Sequence, residues 1–185
     1  MRSFIAFDFD EQIKIDMHKH IEHWRKMASG VKWVGMHGMH LTLKFLGNID
    51  PEKLPLLRET IEKAASHHSP FPIKLKGTGS FPPRSRNPRV LWIGIEADPA
   101  LSSLHAEIET QLAQQGFPRE THAFHPHLTL GRVKKSPLPA IMTEDFRQYH
   151  ETVFGEMLFR KITLFQSRLS SSGAQYSTLA EAYLT

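Results

Sequence analysis

Two identical tetrapeptides place the same chemical groups at two distant points of the chain. The sequence His-Leu-Thr-Leu occupies residues 40–43 and recurs at residues 127–130, 87 residues later. Because side chains alternate between the two faces of a strand, the histidine and threonine of each copy share one face and the two leucines share the other. If the leucines enter the core, an imidazole and a hydroxyl lie side by side on the open face of each strand.

Two imidazoles and two hydroxyls around one centre have the properties that phosphoryl transfer requires. One histidine can take a proton from the attacking oxygen while the other gives a proton to the leaving oxygen, since an ordinary imidazole has a pKa of about 6.5 and serves either role near neutral pH. The hydroxyls of Thr42 and Thr129 can hold the non-bridging oxygens as negative charge builds. A five-membered cyclic phosphate carries its own strain and needs no metal. We therefore expect His40, Thr42, His127 and Thr129 to form one phosphoesterase site with no metal and no cofactor.

The repeat extends beyond the tetrapeptides. Residues 4–7 and 91–94 are aromatic or β-branched runs, predicted as buried strands, and the same 87 residues separate them. Each run is followed by a stretch with apolar residues at steps of three and four, which predicts an amphipathic helix. These two helices are predicted at about 11–27 and 99–115. Two later helices are predicted at about 51–67, capped by Asp50, and at about 139–150. The remaining strands are predicted at 71–77, at 153–167 with a bend, and at 176–183. A single tetrapeptide would most often be an ordinary half-exposed strand, but two copies within a longer repeat favour a functional origin.

Each half of the chain is thus interpreted as strand–helix–strand–helix–strand. A pseudo-twofold axis between two such lobes would turn the two motifs towards each other across a cleft. We expect residues 1–185 to form one bilobal domain that acts as a monomer.

Composition excludes several classes of site. The chain has no cysteine, so disulfides, thiolate catalysis and cysteine-ligated metal centres are excluded. Hydrophobic residues make up 40% of the chain, which predicts a folded core, and no apolar run approaches the roughly 20 residues that cross a bilayer. The first residues read as a strand and not as a signal peptide. We expect a soluble cytoplasmic protein without membrane association, and the net charge of +4 mildly favours an anionic partner.

At this length, two His-x-Thr-x motifs half a chain apart resemble the 2H phosphoesterase superfamily. Further stretches are similar to the RNA 2′,3′-cyclic phosphodiesterase family, historically called 2′-5′ RNA ligases. These stretches are residues 2–6, 45–47, 81–92, 124–132 and 164–167, followed by Gly173 and Tyr176. The match spans nearly the whole chain, and none of the four motif positions departs from it.

The resemblance implies an α+β fold in which two antiparallel sheets line a central cleft and helices lie outside. It also implies hydrolysis of a terminal RNA 2′,3′-cyclic phosphate to a 2′-phosphate, and ATP-independent ligation to a 5′-hydroxyl in reverse. Carried over to this sequence, His40 is the proton donor, His127 is the proton acceptor, and Thr42 and Thr129 contact the phosphate. The residues alone do not assign the direction of proton transfer, because the site is nearly symmetric.

Four further residues are candidates for substrate binding. Phe45 and Arg132 each follow a motif histidine by five positions, so strand alternation predicts Phe45 in the core and Arg132 on the opposite face unless its strand bends. Arg84 and Arg86 lie in a loop rich in proline and arginine, where they could rim the cleft and hold the RNA backbone or remain solvated. Tyr176, although it matches a family position, is interpreted as structural.

Other histidines raise the alternative of a metal site. His122 and His125 lie close to His127, and His37 lies close to His40, but no paired carboxylate and no H-E-x-x-H motif accompany them. The histidines of the first predicted helix, at positions 18, 20 and 23, are expected on the surface.

Three alternatives to the RNA enzyme stay open. They are a metal-dependent phosphodiesterase, a 2H enzyme acting on a small cyclic nucleotide or an ADP-ribose cyclic phosphate, and a non-catalytic RNA-binding module.

Overall fold

A computed structural model describes residues 1–97, 99–170 and 173–185, which form nine strands and four α-helices. In chain order these are β1 Arg2–Asp8, α1 Glu11–Arg25, β2 Val31–Trp33, β3 His40–Asn48, α2 Leu54–Ser66, β4 Phe71–Phe81, β5 Val90–Ala97, α3 Pro99–Gln114, β6 His127–Val133, α4 Ala140–Gln148, β7 Val153–Phe159, β8 Lys161–Ser170 and β9 Gly173–Tyr183. None of the helices in this described part is long and apolar enough to span a membrane.

The predicted helices form because each buries one apolar stripe. The stripe of α1 is buried at Ile13, Met17, Ile21 and Trp24. The stripe of α3 is buried at Leu101, Leu104, Ile108 and Leu112. Asp50 acts as the predicted cap, since its side chain accepts a hydrogen bond from the backbone N–H of Glu52 at 3.0 Å. The capped residues form a short 3₁₀ turn that leads into α2.

The strands differ from the prediction in two places. The short strand β2, which pairs with β6, is absent from the prediction, because three residues are too few to show a period. The predicted strand 153–167 is two strands separated at Arg160. In the sheet, β7 lies beside β4, whereas β8 lies between β1 and β9. The chain therefore passes from one half of the sheet to the other at Arg160.

The sheet has two antiparallel halves. One half has the order β7-β4-β5-β6 and the other β3-β1-β8-β9. The halves meet where β3 and β6 pair through Leu41 and Leu128. The two predicted antiparallel sheets are therefore present and joined along the two motif strands.

Each half of the sheet combines strands from both halves of the sequence. Strand β4 pairs with β5, and strand β8 pairs with β1. The helices also contact elements from the other half of the sequence. Helix α1 contacts β7 and binds α4 through a hydrogen bond from Trp24 to Asp145. Helix α2 packs on α3, β8 and β9. The two sequence repeats are therefore interlocked, and neither forms a sheet half alone.

Strand pairing also corrects the alignment of the repeat. Asp8 lies opposite His40 in the first half, and Gly94 lies opposite His127 in the second. Strands β1 and β5 therefore correspond at a separation of 86 residues, and the predicted separation of 87 is wrong by one for these strands. The difference matters, because a one-residue slip moves every side chain of a strand to its other face.

The leucines of both motifs face the helices. Leu41, Leu43, Leu128 and Leu130 are all buried and belong to the same cluster as the helix stripes. The motif histidines and threonines are only partly buried. By strand alternation they lie on the other face of the sheet, away from the helices.

Candidate active site

The two motifs lie on neighbouring strands. When the antiparallel register of Leu41 and Leu128 is extended by one residue in each direction, His40 lies across from Thr129 and Thr42 lies across from His127. In a regular antiparallel ladder, directly opposite Cβ atoms are about 4.5–5.5 Å apart and diagonal neighbours about 7–8 Å. In the described residues, β3 and β6 are joined by one such pair, Leu41 with Leu128. The structure thus brings four residues from two ends of the chain into one block on the face opposite the leucines.

His40 lies among aromatic rings. Its ring centroid is 4.7 Å from that of Phe4 and 5.3 Å from that of Tyr176, and the planes of the His40 and Tyr176 rings are nearly perpendicular. Burial lowers the pKa of His40 to about 4, with Lys14 adding to the decrease and Asp8 opposing it. The imidazole of His40 is therefore neutral at neutral pH in the unliganded protein.

A backbone carbonyl fixes the proton position on His127. Its Nδ1 lies 2.6 Å from the carbonyl oxygen of His125. Because a carbonyl oxygen only accepts, Nδ1 carries the proton, and Nε2 of the neutral ring has its lone pair free for proton transfer. Burial lowers the pKa of His127, and the charges of His125 and Arg132 lower it further, against the hydrogen bond to the carbonyl. The ring of Phe81, at 5.1 Å between centroids, covers one side.

A β-bulge follows each motif. Pairing with β1 skips from Thr42 to Lys44, and pairing with β5 skips from Thr129 to Gly131. The skipped residues occupy the same place in the repeat, at positions 43 and 130. A bulge inserts one extra residue, so the side chains beyond it change face relative to simple alternation.

The bulges return Phe45 and Arg132 to the motif face. The core position predicted for Phe45 is wrong, since its side chain is 58% exposed, and its ring lies 6.1 Å from the ring of Phe4 between centroids. The bend required for Arg132 is supplied by the bulge at Leu130, and the guanidinium lies close enough to act electrostatically on both His127 and Tyr176. An aromatic and a cationic side chain thus occupy equivalent places beyond the two motifs.

A cavity of about 860 Å³ opens beside the motif residues. Its walls include Thr42, Phe45, Phe81, Arg89 and His127. This volume falls within the range of about 300–1,000 Å³ that is usual for small-molecule and nucleotide sites.

A buried ion pair holds one wall of this cavity. Lys44 Nζ lies 2.7 Å from Glu109 Oε1 and donates a hydrogen bond to the carbonyl oxygen of Pro118 at 2.6 Å. The other oxygen of Glu109 accepts a hydrogen bond from the backbone N–H of Glu120 at 3.1 Å. The two side chains are only 2% and 8% exposed. This ion pair therefore anchors the segment that leads into His127.

The structure also places the other residues that the sequence singled out. Tyr176, interpreted from sequence as structural, contacts His40. It lies outside the repeat and reaches the site only through the pairing of β8 with β9 and β1, so no spacing in the sequence indicates it. Arg84 and Arg86 do not line the cavity beside the motifs but a second cavity near α4.

The remaining histidines do not form a second centre in the described residues. His122 and His125 line the motif cavity, but no group of three or more His, Cys, Asp or Glu side chains in the described part of the chain is placed to hold a metal ion. His20, expected on the surface, is half-buried, and its ring packs against Trp24, Tyr149 and Phe154.

Comparison with known proteins relates the whole chain to one group. The family model described as the 2′-5′ RNA ligase superfamily matches residues 13–168. A protein of Archaeoglobus fulgidus named RNA 2′,3′-cyclic phosphodiesterase is 38% identical, with 97% of this chain and 98% of the relative covered. A protein of Thermotoga maritima with the same name is 34% identical, with 98% and 94% covered.

Solved structures agree with this relationship. The protein TT0787 of Thermus thermophilus superposes with a TM-score of 0.84 at 29% identity, covering 100% of this chain and 98% of the other. E. coli LigT in complex with 3′-AMP superposes with a TM-score of 0.77 at 25% identity, with the same coverage.

Proposed function

The chain belongs to the 2′-5′ RNA ligase superfamily, and we propose that it is an RNA 2′,3′-cyclic phosphodiesterase, a phosphoric diester hydrolase that opens a terminal cyclic phosphate to a 2′-phosphate. The observation that carries the proposal is the block of two histidines and two threonines on the paired strands β3 and β6. One copy of the chain supplies all four residues, which is consistent with a monomer. The cysteine-free composition suits the reducing cytoplasm, where we place the activity.

The two imidazoles divide the proton transfers. His127 Nε2 takes a proton from water as the water oxygen attacks phosphorus, and His40 gives a proton to the departing O3′ as the P–O3′ bond breaks. The tautomer set by the His125 carbonyl supports the assignment of His127 as the base. The products are a 2′-phosphate and a free 3′-hydroxyl. With a 5′-hydroxyl in place of water as the nucleophile, the same two proton transfers would join two RNA ends through a 2′-5′ linkage without ATP.

The remaining groups stabilise charge on the phosphate. Thr42 and Thr129 donate hydrogen bonds to the non-bridging oxygens as negative charge builds in the transition state. Arg132, on the same face, supplies a full positive charge. Phe45 offers an exposed ring on which the terminal base can stack.

Substrate binding itself prepares the acid. His40 is neutral in the free protein, because burial holds its pKa at about 4. A bound phosphodiester brings a negative charge next to the ring, and an opposite charge favours the protonated form. The pKa of His40 therefore rises when the substrate binds, and the proton that the leaving oxygen needs is taken up in the complex.

The proposal is tested by mutating each imidazole. An oligoribonucleotide ending in a 2′,3′-cyclic phosphate is incubated with the protein, and the monoester formed is identified. We expect a 2′-phosphate, turnover unchanged by EDTA, and a loss of roughly 10²–10⁴-fold in kcat for His40→Ala and for His127→Ala. His37→Ala, an exposed histidine close to the first motif, serves as the matched control.

Each alternative predicts a different result. Near-normal hydrolysis by either motif variant excludes the two-histidine mechanism. Loss of activity with chelator and its return with a divalent ion would identify a metal enzyme, and salt-dependent binding without turnover would identify a binding module. Turnover of a mononucleoside cyclic phosphate or an ADP-ribose cyclic phosphate, with none of the oligonucleotide, would identify a small-molecule enzyme.

A further inference from the structure

A second cavity lies next to the candidate active site, between α4 and the loop that joins β4 to β5. It has a volume of about 710 Å³. Arg84 and Arg86 reach it from the loop, and Arg147 reaches it from α4. Its apolar wall consists of Leu91, Leu138, Met142 and Phe146.

The charge of this cavity is predominantly positive. Arg84 and Arg86 are exposed and form no ion pair within the described residues. Arg147 lies 3.8 Å from Glu144, but the two side chains are 74% and 70% exposed, so the pair is weak. Three guanidinium groups therefore face one carboxylate. Such a surface attracts an anion with several charges.

The backbone of the loop is strained at one of these arginines. Arg84 has a φ of +55°, in the left-handed region that residues with a Cβ rarely adopt. Strained backbone of this kind concentrates at ligand sites, where the surrounding structure holds it in place. This conformation belongs to the segment that carries two of the three arginines.

The same loop connects the second cavity to the first. Phe81, Pro82 and Arg89 line the cavity of the motif residues, whereas residues 83–86 and Pro88 line the second cavity. Trp92 also lines the second cavity, and its ring centroid is 6.3 Å from that of His127. A chain bound by its end at His127 therefore has a continuous surface to follow.

We propose that the second cavity binds the RNA strand on the 5′ side of the nucleotide that carries the cyclic phosphate. The proposal rests on the proposed function of the first cavity. Proteins that hold single-stranded nucleic acid combine cations along the backbone with apolar or aromatic surfaces against the bases. Here Arg84, Arg86 and Arg147 hold phosphates, and the partly exposed side chains of Leu138 and Trp92 contact a base. The enzyme consequently prefers a longer strand to a dinucleotide.

The test compares substrate lengths. A dinucleotide and an octanucleotide, both ending in a 2′,3′-cyclic phosphate, are hydrolysed by the wild type, by Arg84→Ser/Arg86→Ser and by Arg58→Ser/Lys63→Ser. The last variant removes the same charge from the exposed side of α2, away from both cavities. For Arg84→Ser/Arg86→Ser, the loop variant, we expect the ratio of kcat/KM for the octanucleotide to kcat/KM for the dinucleotide to fall about tenfold. For Arg58→Ser/Lys63→Ser, the control, we expect the wild-type ratio.

A binding measurement separates this proposal from the hydrolysis it rests on. An octanucleotide that already ends in a 2′-phosphate is titrated by fluorescence anisotropy at several salt concentrations. For the loop variant, the slope of log K against log salt becomes shallower by about 1.4, because each lost contact to a single strand contributes about 0.7. Arg147→Gln, on a separate element, should weaken binding in the same way.

Two results overturn the proposal. One is an unchanged length ratio together with an unchanged salt slope, which leaves the arginines as solvated loop charges. The other is an equal loss for both substrates, which places them at the reacting nucleotide. If the wild type hydrolyses neither substrate, the proposed function fails, and the anisotropy measurement still decides whether the cavity binds RNA.

Discussion

The two motif imidazoles have different surroundings in a site that the repeat makes nearly symmetric. Phe4 and Tyr176 enclose His40, with Asp8 nearby, whereas Arg132 and a backbone carbonyl adjoin His127. Burial lowers both pKa values below the ordinary value of 6.5. Neither ring therefore holds a proton through most of the neutral range before substrate arrives.

This electrostatic state predicts the pH dependence of catalysis. The reaction requires one protonated and one neutral ring, and kcat/KM reports the free enzyme. Since both pKa values lie below 6.5, we expect kcat/KM to be highest below pH 6.5 and to fall about tenfold per pH unit well above it. The kcat profile lies at higher pH, because the bound anion raises the pKa of His40. Initial rates between about pH 4 and 9 measure both, and a kcat/KM maximum at about pH 7 or above contradicts the assignment.

At the scale of elements, each motif strand combines regular alternation within its motif with a bulge directly beyond it. Alternation places His40 and Thr42 on the open face, and the bulge beyond them keeps Phe45 on that face. The bulge also leaves the side chain of Lys44 buried on the helix side, where it pairs with Glu109 of α3. The bulge beyond the first motif thus places Phe45 at the site and Lys44 in the ion pair that anchors the segment leading into His127.

Removal of that buried cation should destabilise the protein. Lys44→Met leaves the Glu109 carboxylate buried without its partner, so we expect the free energy of unfolding to fall by about 3–5 kcal/mol. Replacing both residues, as Lys44→Met/Glu109→Met, removes both charges and should restore much of that loss. Urea denaturation measures all three proteins. Wild-type stability in the single variant, or a double variant no more stable than the single one, would show that the pair does not anchor the wall.

At the scale of the whole molecule, strand exchange makes the two repeats dependent on each other. Strand β4 needs β5 as its partner, and β1 needs β8. A fragment of residues 1–86 would leave β1 and β4 without these partners and would expose their edges.

Separated repeats should therefore fold only together. We expect fragments 1–86 and 87–185 to lack a cooperative thermal transition when each is measured alone by circular dichroism. When they are mixed, native-like secondary structure and hydrolysis should return. A cooperative transition in either isolated fragment would show that a repeat is an independent folding unit.

Much of this protein follows from local pattern. The recurrence of His-Leu-Thr-Leu, together with strand alternation, indicates that His40, Thr42, His127 and Thr129 face away from the core. The three- and four-residue steps indicate the buried stripes of α1 and α3, which the structure confirms. These features depend on the backbone period of a single element, and a short window of sequence contains that period.

Other features depend on the partners of each element. Strand pairing and register decide the faces of Phe45 and Arg132 and the exchange of β4 and β8. They also decide the contact of Tyr176 with His40 and the cavity that Arg84 and Arg86 line. A bulge changes the face of every later residue in its strand, and its position is set by the hydrogen bonds of the neighbouring strand. The period of one strand therefore cannot predict these features, and only the assembled sheet decides them.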